Sequence, residues 1–178
     1  MGIYKTDKGF KEKVQGQMKE NEINVRIGAM EVATNPRILK TVLGSCVALV
    51  LYDKVRRIGG MAHIFLPRKK PGADNEPDSK FADTAAPALL KAIQEIGAKK
   101  ENTFAFMVGG GNIFKALRKS DLPTVAEQNV AVTKESIKEL KIPLLGCDVG
   151  RDKGCKVTFD LSTGDMVITD LKTIQINK

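Results

Sequence analysis

Residues 41–67 read Thr41-Val42-Leu43-Gly44-Ser45-Cys46-Val47-Ala48-Leu49-Val50-Leu51-Tyr52, then Asp53-Lys54-Val55-Arg56, then Arg57-Ile58-Gly59-Gly60-Met61-Ala62-His63-Ile64-Phe65-Leu66-Pro67. The Val/Leu-rich run from Cys46 to Tyr52 and the apolar run from Ile58 to Leu66 both read as strands, and the polar tetrad between them reads as a turn. Opposed residues of an antiparallel hairpin lie symmetrically about its turn. A turn centred between Lys54 and Val55 therefore sets Cys46 opposite His63 on one face, with Cβ atoms about 4.5–5.5 Å apart. A thiol nucleophile and its base require that layout.

A cysteine in an apolar strand is ordinarily inert packing, and a lone histidine is ordinarily a satisfied structural residue. Three features favour chemistry over that reading. Gly44 and Ser45 precede Cys46, so the backbone can turn there and present amides to a ligand; the chain spends its only histidine at the opposed position; and Cys46 lies at the open end of the hairpin. An imidazole in reach can take the thiol proton, protonate a leaving group and later activate water. Thr41 is the nearest upstream hydroxyl that could orient the ring. Its odd offset from Cys46 puts it on the other face of a regular strand unless Gly44-Ser45 breaks the alternation, so an ordinary β-branched strand residue is an equal reading.

Cys147 and Cys155 have no histidine left to serve them and read as structural. One histidine and scattered cysteines do not make a zinc site, so no metal is expected. Gly109-Gly110-Gly111-Asn112 lacks the Lys-Ser/Thr of a P-loop and the spacing of a dinucleotide fingerprint. A tight turn leading into a helix is the better reading, and no organic cofactor is expected. Arg68-Lys69-Lys70 lies just downstream of His63 and is a candidate substrate contact.

The chain has 178 residues, 42% of them hydrophobic and 28% charged, which suits one soluble domain with its own core. A flexible tail over 1–22 and a single catalytic domain over 23–178 are expected. No apolar run approaches the roughly 18 residues of a membrane helix. The Lys/Glu-rich start has no apolar signal region, so the expected location is cytoplasmic. The net charge of +8 favours anionic partners, but the basic residues are dispersed and there is no tryptophan. An acidic protein surface is the expected partner rather than nucleic acid. A monomer is the default.

Elsewhere, Ile23–Met30 alternates and suggests a first strand, and Asn35-Pro36 marks a turn. Asp83 or Thr84 can cap a helix to about Ile96, with Leu89, Leu90, Ile93 and Ile96 on one face and Gly97 as its stop. Thr103–Val108 is a buried-type strand, followed by a short helix from Asn112 to about Arg118. Asn129 can cap a helix to Leu140. Strands are expected at 144–149, 156–161 and 166–176, the last two joined by Ser162-Thr163-Gly164-Asp165. The class is α+β, rich in antiparallel pairing.

The Leu43-Gly44-Ser45-Cys46 and Gly60-Met61-Ala62-His63-Ile64-Phe65-Leu66-Pro67 segments resemble the CheD family, the chemoreceptor glutamine deamidases of chemotaxis. The resemblance runs over about 24–170. It includes Lys80-Phe81-Ala82-Asp83, the glycines at 109–111, Asn129-Val130, Asp148-Val149-Gly150, Phe159 and Gly164. The chain departs from the family at Ala126-Glu127-Gln128-Asn129, where Gly-x-Arg-Asn is usual, and at Gly154-Cys155, where Gly-Arg is usual. The resemblance implies a layered α/β sandwich with mixed sheets and outer helices. It implies Cys46 as nucleophile, His63 as acid/base and Thr41 as third member, with backbone amides near Gly44 and Ser45 receiving the oxyanion. The substrate implied is a set of glutamine side chains on chemotaxis receptor helices, with methyl esters of glutamate as a further substrate. A CheC-type phosphatase is the implied regulatory partner, and a non-catalytic binding module is the competing class.

Overall fold

A computed structural model of the chain describes residues 21–111 and 122–171. Every residue of β4 (Val47–Asp53) and β5 (Ile58–Ile64) is buried, because this hairpin forms the middle of the molecule and is covered on both faces. It belongs to a five-stranded sheet of order β2-β5-β4-β6-β7, completed by β2 (Met30–Thr34), β6 (Thr103–Gly109) and β7 (Leu144–Val149). A second sheet of four strands has the order β1-β3-β8-β9, from β1 (Glu22–Asn24), β3 (Ile38–Leu43), β8 (Cys155–Asp160) and β9 (Met166–Asp170). Both sheets are mixed: β1–β3 and β6–β7 run parallel, the other pairs antiparallel. Helices α1 (Ala82–Glu95) and α2 (Val125–Glu139) cover the outer face of the five-stranded sheet. The expected α+β layered sandwich with outer helices is the observed architecture.

The period-2 alternation of β4 divides the core in two. Leu49 and Leu51 pack with Leu89, Ile93 and Ile137 beneath the helices. Ala48 and Val50 pack with Leu39, Leu43, Val157 and Phe159 between the sheets. Burying these side chains stabilises by about 1.5–3 kcal/mol for each large aliphatic or aromatic group.

The β4–β5 turn differs from the expected one. Asp53 pairs with Ile58, so the turn holds Lys54 to Arg57. The Asp53 carboxylate draws it shut by accepting from Val55 N at 2.9 Å and Arg56 N at 3.0 Å, and Arg57 takes a left-handed φ of 55°. The register moves by two residues: Ala48, not Cys46, opposes His63. Because the shift is even, Cys46 keeps the face expected for it and becomes a diagonal neighbour of His63.

The expected strand over 23–30 is broken. β1 ends at Asn24 in one sheet, a turn follows at 26–29, and β2 begins at Met30 in the other sheet. The expected tail lies outside the described residues except for Asn21 and Glu22, and Glu22 already belongs to β1. α1 starts at Ala82 without a side-chain cap; the Asp83 carboxylate instead accepts from Lys69 N at 3.1 and 3.2 Å. Leu89, Leu90 and Ile93 are buried as expected, whereas Ile96, just past the helix, is 40% exposed. α2 is capped by Thr124, paired reciprocally with Glu127, so Asn129 falls inside the helix and is fully buried. The Thr124-x-x-Glu127 capping box was the available sequence signal. The expected helix at 112–118 lies outside the described residues, and so does the strand expected beyond Leu171.

Candidate active site

The chain changes sheet between β3 and β4. Thr41 lies on the inward face of β3 with Leu39 and Leu43, and Cys46 sits in the bend 44–46 that delivers the chain to β4. The parity argument that set Thr41 against Cys46 assumed one strand. Two strands facing each other from separate sheets each turn their inward residues to the same space. Thr41, Cys46 and His63 are therefore brought together at one end of the inter-sheet layer. They are 2%, 6% and 4% exposed and share the wall of an open cavity of about 650 Å³ with Gly44 and Ser45.

The hydrogen bonds assign the proton on His63. Thr41 Oγ1 lies 2.8 Å from the Val25 carbonyl and 2.8 Å from His63 Nδ1. A carbonyl only accepts, so the single hydroxyl proton goes to Val25 and the hydroxyl accepts from Nδ1–H. Nε2 of the neutral ring is then left as a bare lone pair. It is buried and has no hydrogen-bond partner among the described residues, Cys46 included. Burial holds the His63 pKa below its ordinary value, partly offset by the Val25 backbone, and burial pushes the Cys46 thiol up. The resting pair is a neutral thiol beside a neutral imidazole whose free nitrogen is an acceptor, a general-base arrangement rather than a standing ion pair.

Two backbone devices hold these side chains. The glycine run fixes the cysteine bend: Gly110 N donates to Cys46 O at 2.7 Å and Gly111 N to Gly44 O at 3.0 Å. Gly109, at φ 108°, could carry no side chain, since a Cβ there would stand 2.3 Å from Cys46 O. With those carbonyls engaged, the N–H groups of Gly44, Ser45 and Cys46 donate to no backbone carbonyl outside the strand ladders among the described residues. The second device is the 26–29 turn, which grips the histidine on both sides: Gly28 N donates to His63 O at 2.8 Å, and His63 N to Ala29 O at 2.9 Å.

Other expected positions lie elsewhere. Cys147 is exposed on β7 and Cys155 is buried in β8, and neither lines the cavity. Of the Arg68-Lys69-Lys70 cluster none reaches it; Arg68 and Lys70 border a separate cavity of about 460 Å³ with Leu66 and Phe81. Sequence reasoning missed Val25, whose carbonyl fixes the Thr41 hydroxyl, and Phe65, which stands 41% exposed at the cavity mouth. The positive-φ Gly28 within Arg26-Ile27-Gly28-Ala29 was the one signal of the turn that brings Val25 there. No group of metal-ligating side chains occurs among the described residues.

Known proteins align with this chain over most of its length. The family model described as CheD chemotactic sensory transduction matches residues 65–170. A probable chemoreceptor glutamine deamidase CheD of Methanococcus maripaludis is 36% identical over 155 residues, 85% of this chain and 99% of the relative. One of Clostridium botulinum with the same description is 39% identical over 152 residues, 85% of this chain and 94% of the relative. Among solved structures, the hypothetical protein YfiH of Bacillus licheniformis superposes with a TM-score of 0.45 at 14% identity, over 77% of this chain and 61% of that one, too distant to bear on function. With more than a third of aligned residues identical across nearly the full length of such relatives, the chain belongs to the CheD family.

Proposed function

We propose that this chain is a chemoreceptor glutamine deamidase, a protein-glutamine amidohydrolase that uses Cys46 as nucleophile, His63 as acid/base and Thr41 to orient the ring. The names of its relatives support the reaction class and the chemoreceptor substrate. The residue roles rest on one observation: a buried imidazole whose Nδ1–H is committed to Thr41, whose Nε2 has no hydrogen-bond partner among the described residues, and whose ring lines a cavity shared with a thiol.

His63 Nε2 takes the thiol proton as Cys46 Sγ bonds to the glutamine Cδ. The resulting oxyanion is received by the backbone N–H groups of the 44–46 bend. The imidazolium returns the proton to the amide nitrogen, the C–N bond breaks, and ammonia leaves a thioester. Nε2 then deprotonates water, which attacks the thioester; the C–S bond breaks, releasing glutamate and restoring the thiol. Neither a metal nor an organic cofactor enters these steps. The same acyl transfer extends to glutamate methyl esters, with methanol in the place of ammonia. Nε2 makes no hydrogen bond to Cys46 at rest, and that contact forms when substrate enters, as apo catalytic contacts commonly tighten.

The test incubates the cytoplasmic fragment of a receptor with the chain or with Cys46→Ala and maps the products by mass spectrometry. Increments of about 1 Da at particular glutamines, present only with the intact thiol, are expected from amide-to-acid conversion. No increment with either protein, alongside retained binding of a CheC-type phosphatase, would overturn the enzyme reading in favour of a docking role.

A further inference from the structure

The cavity that holds Cys46 and His63 carries one formal charge on its wall. Its lining contains no aspartate or glutamate, and with His63 neutral the single ionised side chain is Arg26. Arg26 is exposed and forms no ion pair with any described residue. Lys40, beside Thr41 on β3, is paired with Glu22, and near the second cavity Lys69 is paired with Asp78 and Lys80 with Glu76.

Its position is set by the site itself. Ala29 N closes the turn on Arg26 O at 3.0 Å, with Gly28 at φ 75° in the third position. The third and fourth residues of that turn, Gly28 and Ala29, are tied to the His63 backbone, and the carbonyl of the preceding Val25 receives the Thr41 hydroxyl. The Arg26 backbone is thus held between two attachments to the site, and its exposed side chain starts from the cavity wall. Around the same mouth stand three exposed apolar side chains, Ile27 (58%), Val42 (53%) and Phe65 (41%). They can pack the apolar neighbours of an incoming side chain, and they make the surroundings of Arg26 less aqueous than open surface.

We propose that Arg26 is a specificity-determining residue that selects glutamines with an acidic side chain close by on the same substrate. This rests on the deamidase reading and deepens it. The glutamine amide enters between Cys46 and His63, apolar neighbours settle on Ile27, Val42 and Phe65, and a carboxylate outside the cavity meets the guanidinium. A lysine in that place meets a like charge instead. Arg26 touches no reacting atom, so it acts on substrate capture and on KM more than on kcat.

The experiment uses receptor cytoplasmic fragments in which residues within four positions of a modified glutamine are exchanged for glutamate or for lysine. Each is treated with the unaltered chain, Arg26→Ala and Arg26→Glu, and kcat and KM are read from ammonia release. The unaltered chain is expected to favour the glutamate-flanked substrate by about fivefold in kcat/KM at low salt. Arg26→Ala loses the preference and Arg26→Glu reverses it, with unchanged thermal midpoints. High salt shrinks all these differences. Deamidation by the unaltered chain with no charge preference, or a preference that survives in Arg26→Glu, overturns the role of Arg26 alone. Deamidation of none of the fragments overturns the deamidase reading and this inference with it.

Discussion

Asp53 and His63, two buried ionisable side chains, stand at opposite ends of the β4–β5 hairpin, and the fold treats them oppositely. At the turn, Asp53 is fully buried and saturated: it accepts from the backbone of Val55, Arg56 and Lys99 and from the Arg56 guanidinium. At the open end, His63 is nearly as buried yet keeps Nε2 without a partner. Burial alone raises a carboxyl, but at Asp53 these donors outweigh it and hold the pKa below its ordinary value. At His63 burial prevails and the ring stays neutral. A saturated buried charge ties elements together, here the turn to the segment entering β6. A buried lone pair held open is costly to the fold and useful only to a ligand.

The largest effect expected from this contrast is a separation of activity from stability. His63→Gln should lower kcat by about 10³–10⁴, as loss of a general acid/base does, while costing under about 1 kcal/mol in urea unfolding, because half of the ring's polar capacity is unused. Asp53→Ala should do the reverse. It strands several buried donors and should cost about 3 kcal/mol, with kcat of the folded fraction unchanged. Equal losses of stability in the two variants would break the comparison.

Thr41 sits between these extremes, because its hydroxyl is saturated in order to keep His63 half-free. Thr41→Val should strand the Val25 carbonyl and the Nδ1–H for about 1–2 kcal/mol, and should lower kcat about 10–100-fold through loss of the ring's orientation. Thr41→Ser restores both contacts and should recover most of the rate. A Thr41→Ser variant as slow as Thr41→Val would mean that the methyl packing, not the hydroxyl, matters.

The sequence carried the hairpin and the shared face of Cys46 and His63 because both are local: adjacent strands, one turn, side-chain parity. The exact opposition was missed because Asp53 closes a turn one residue further along than a polar tetrad suggests. Even so, a shift of two leaves parity, and hence the face, intact. Thr41 could not be settled from one strand's alternation, since β3 pairs with β8, more than a hundred residues away, and nothing local announces that the chain changes sheets at Gly44-Ser45. The same non-locality hid the break at 26–29, where a residue-by-residue alternation of Ile23, Val25 and Ile27 concealed a turn. Asn129 was misread for a different reason: a stronger cap, Thr124 with Glu127, lay upstream.

The smallest effect is the pH dependence, and it distinguishes the two ends by where each titrates. Both folded pKa values are depressed, so in both cases the unfolded chain takes up its proton first and stability falls as pH falls. For His63 the loss begins near the ordinary value of about 6.5 and is complete below the lower folded value. For Asp53 it begins only near about 3.9. Urea unfolding measured from pH 8 downward should therefore fall in two stages, and His63→Gln should erase the first while leaving the second. Activity should follow the same ring. The neutral imidazole persists below pH 6.5, so the acid limb of kcat/KM lies below that value; burial of Cys46 moves the alkaline limb above the usual thiol value of about 8.5. A rate that rises only above neutrality would mean that a standing thiolate, not a proton acceptor held in reserve at Nε2, carries the attack, and the contrast between the two ends of the hairpin would lose its functional meaning.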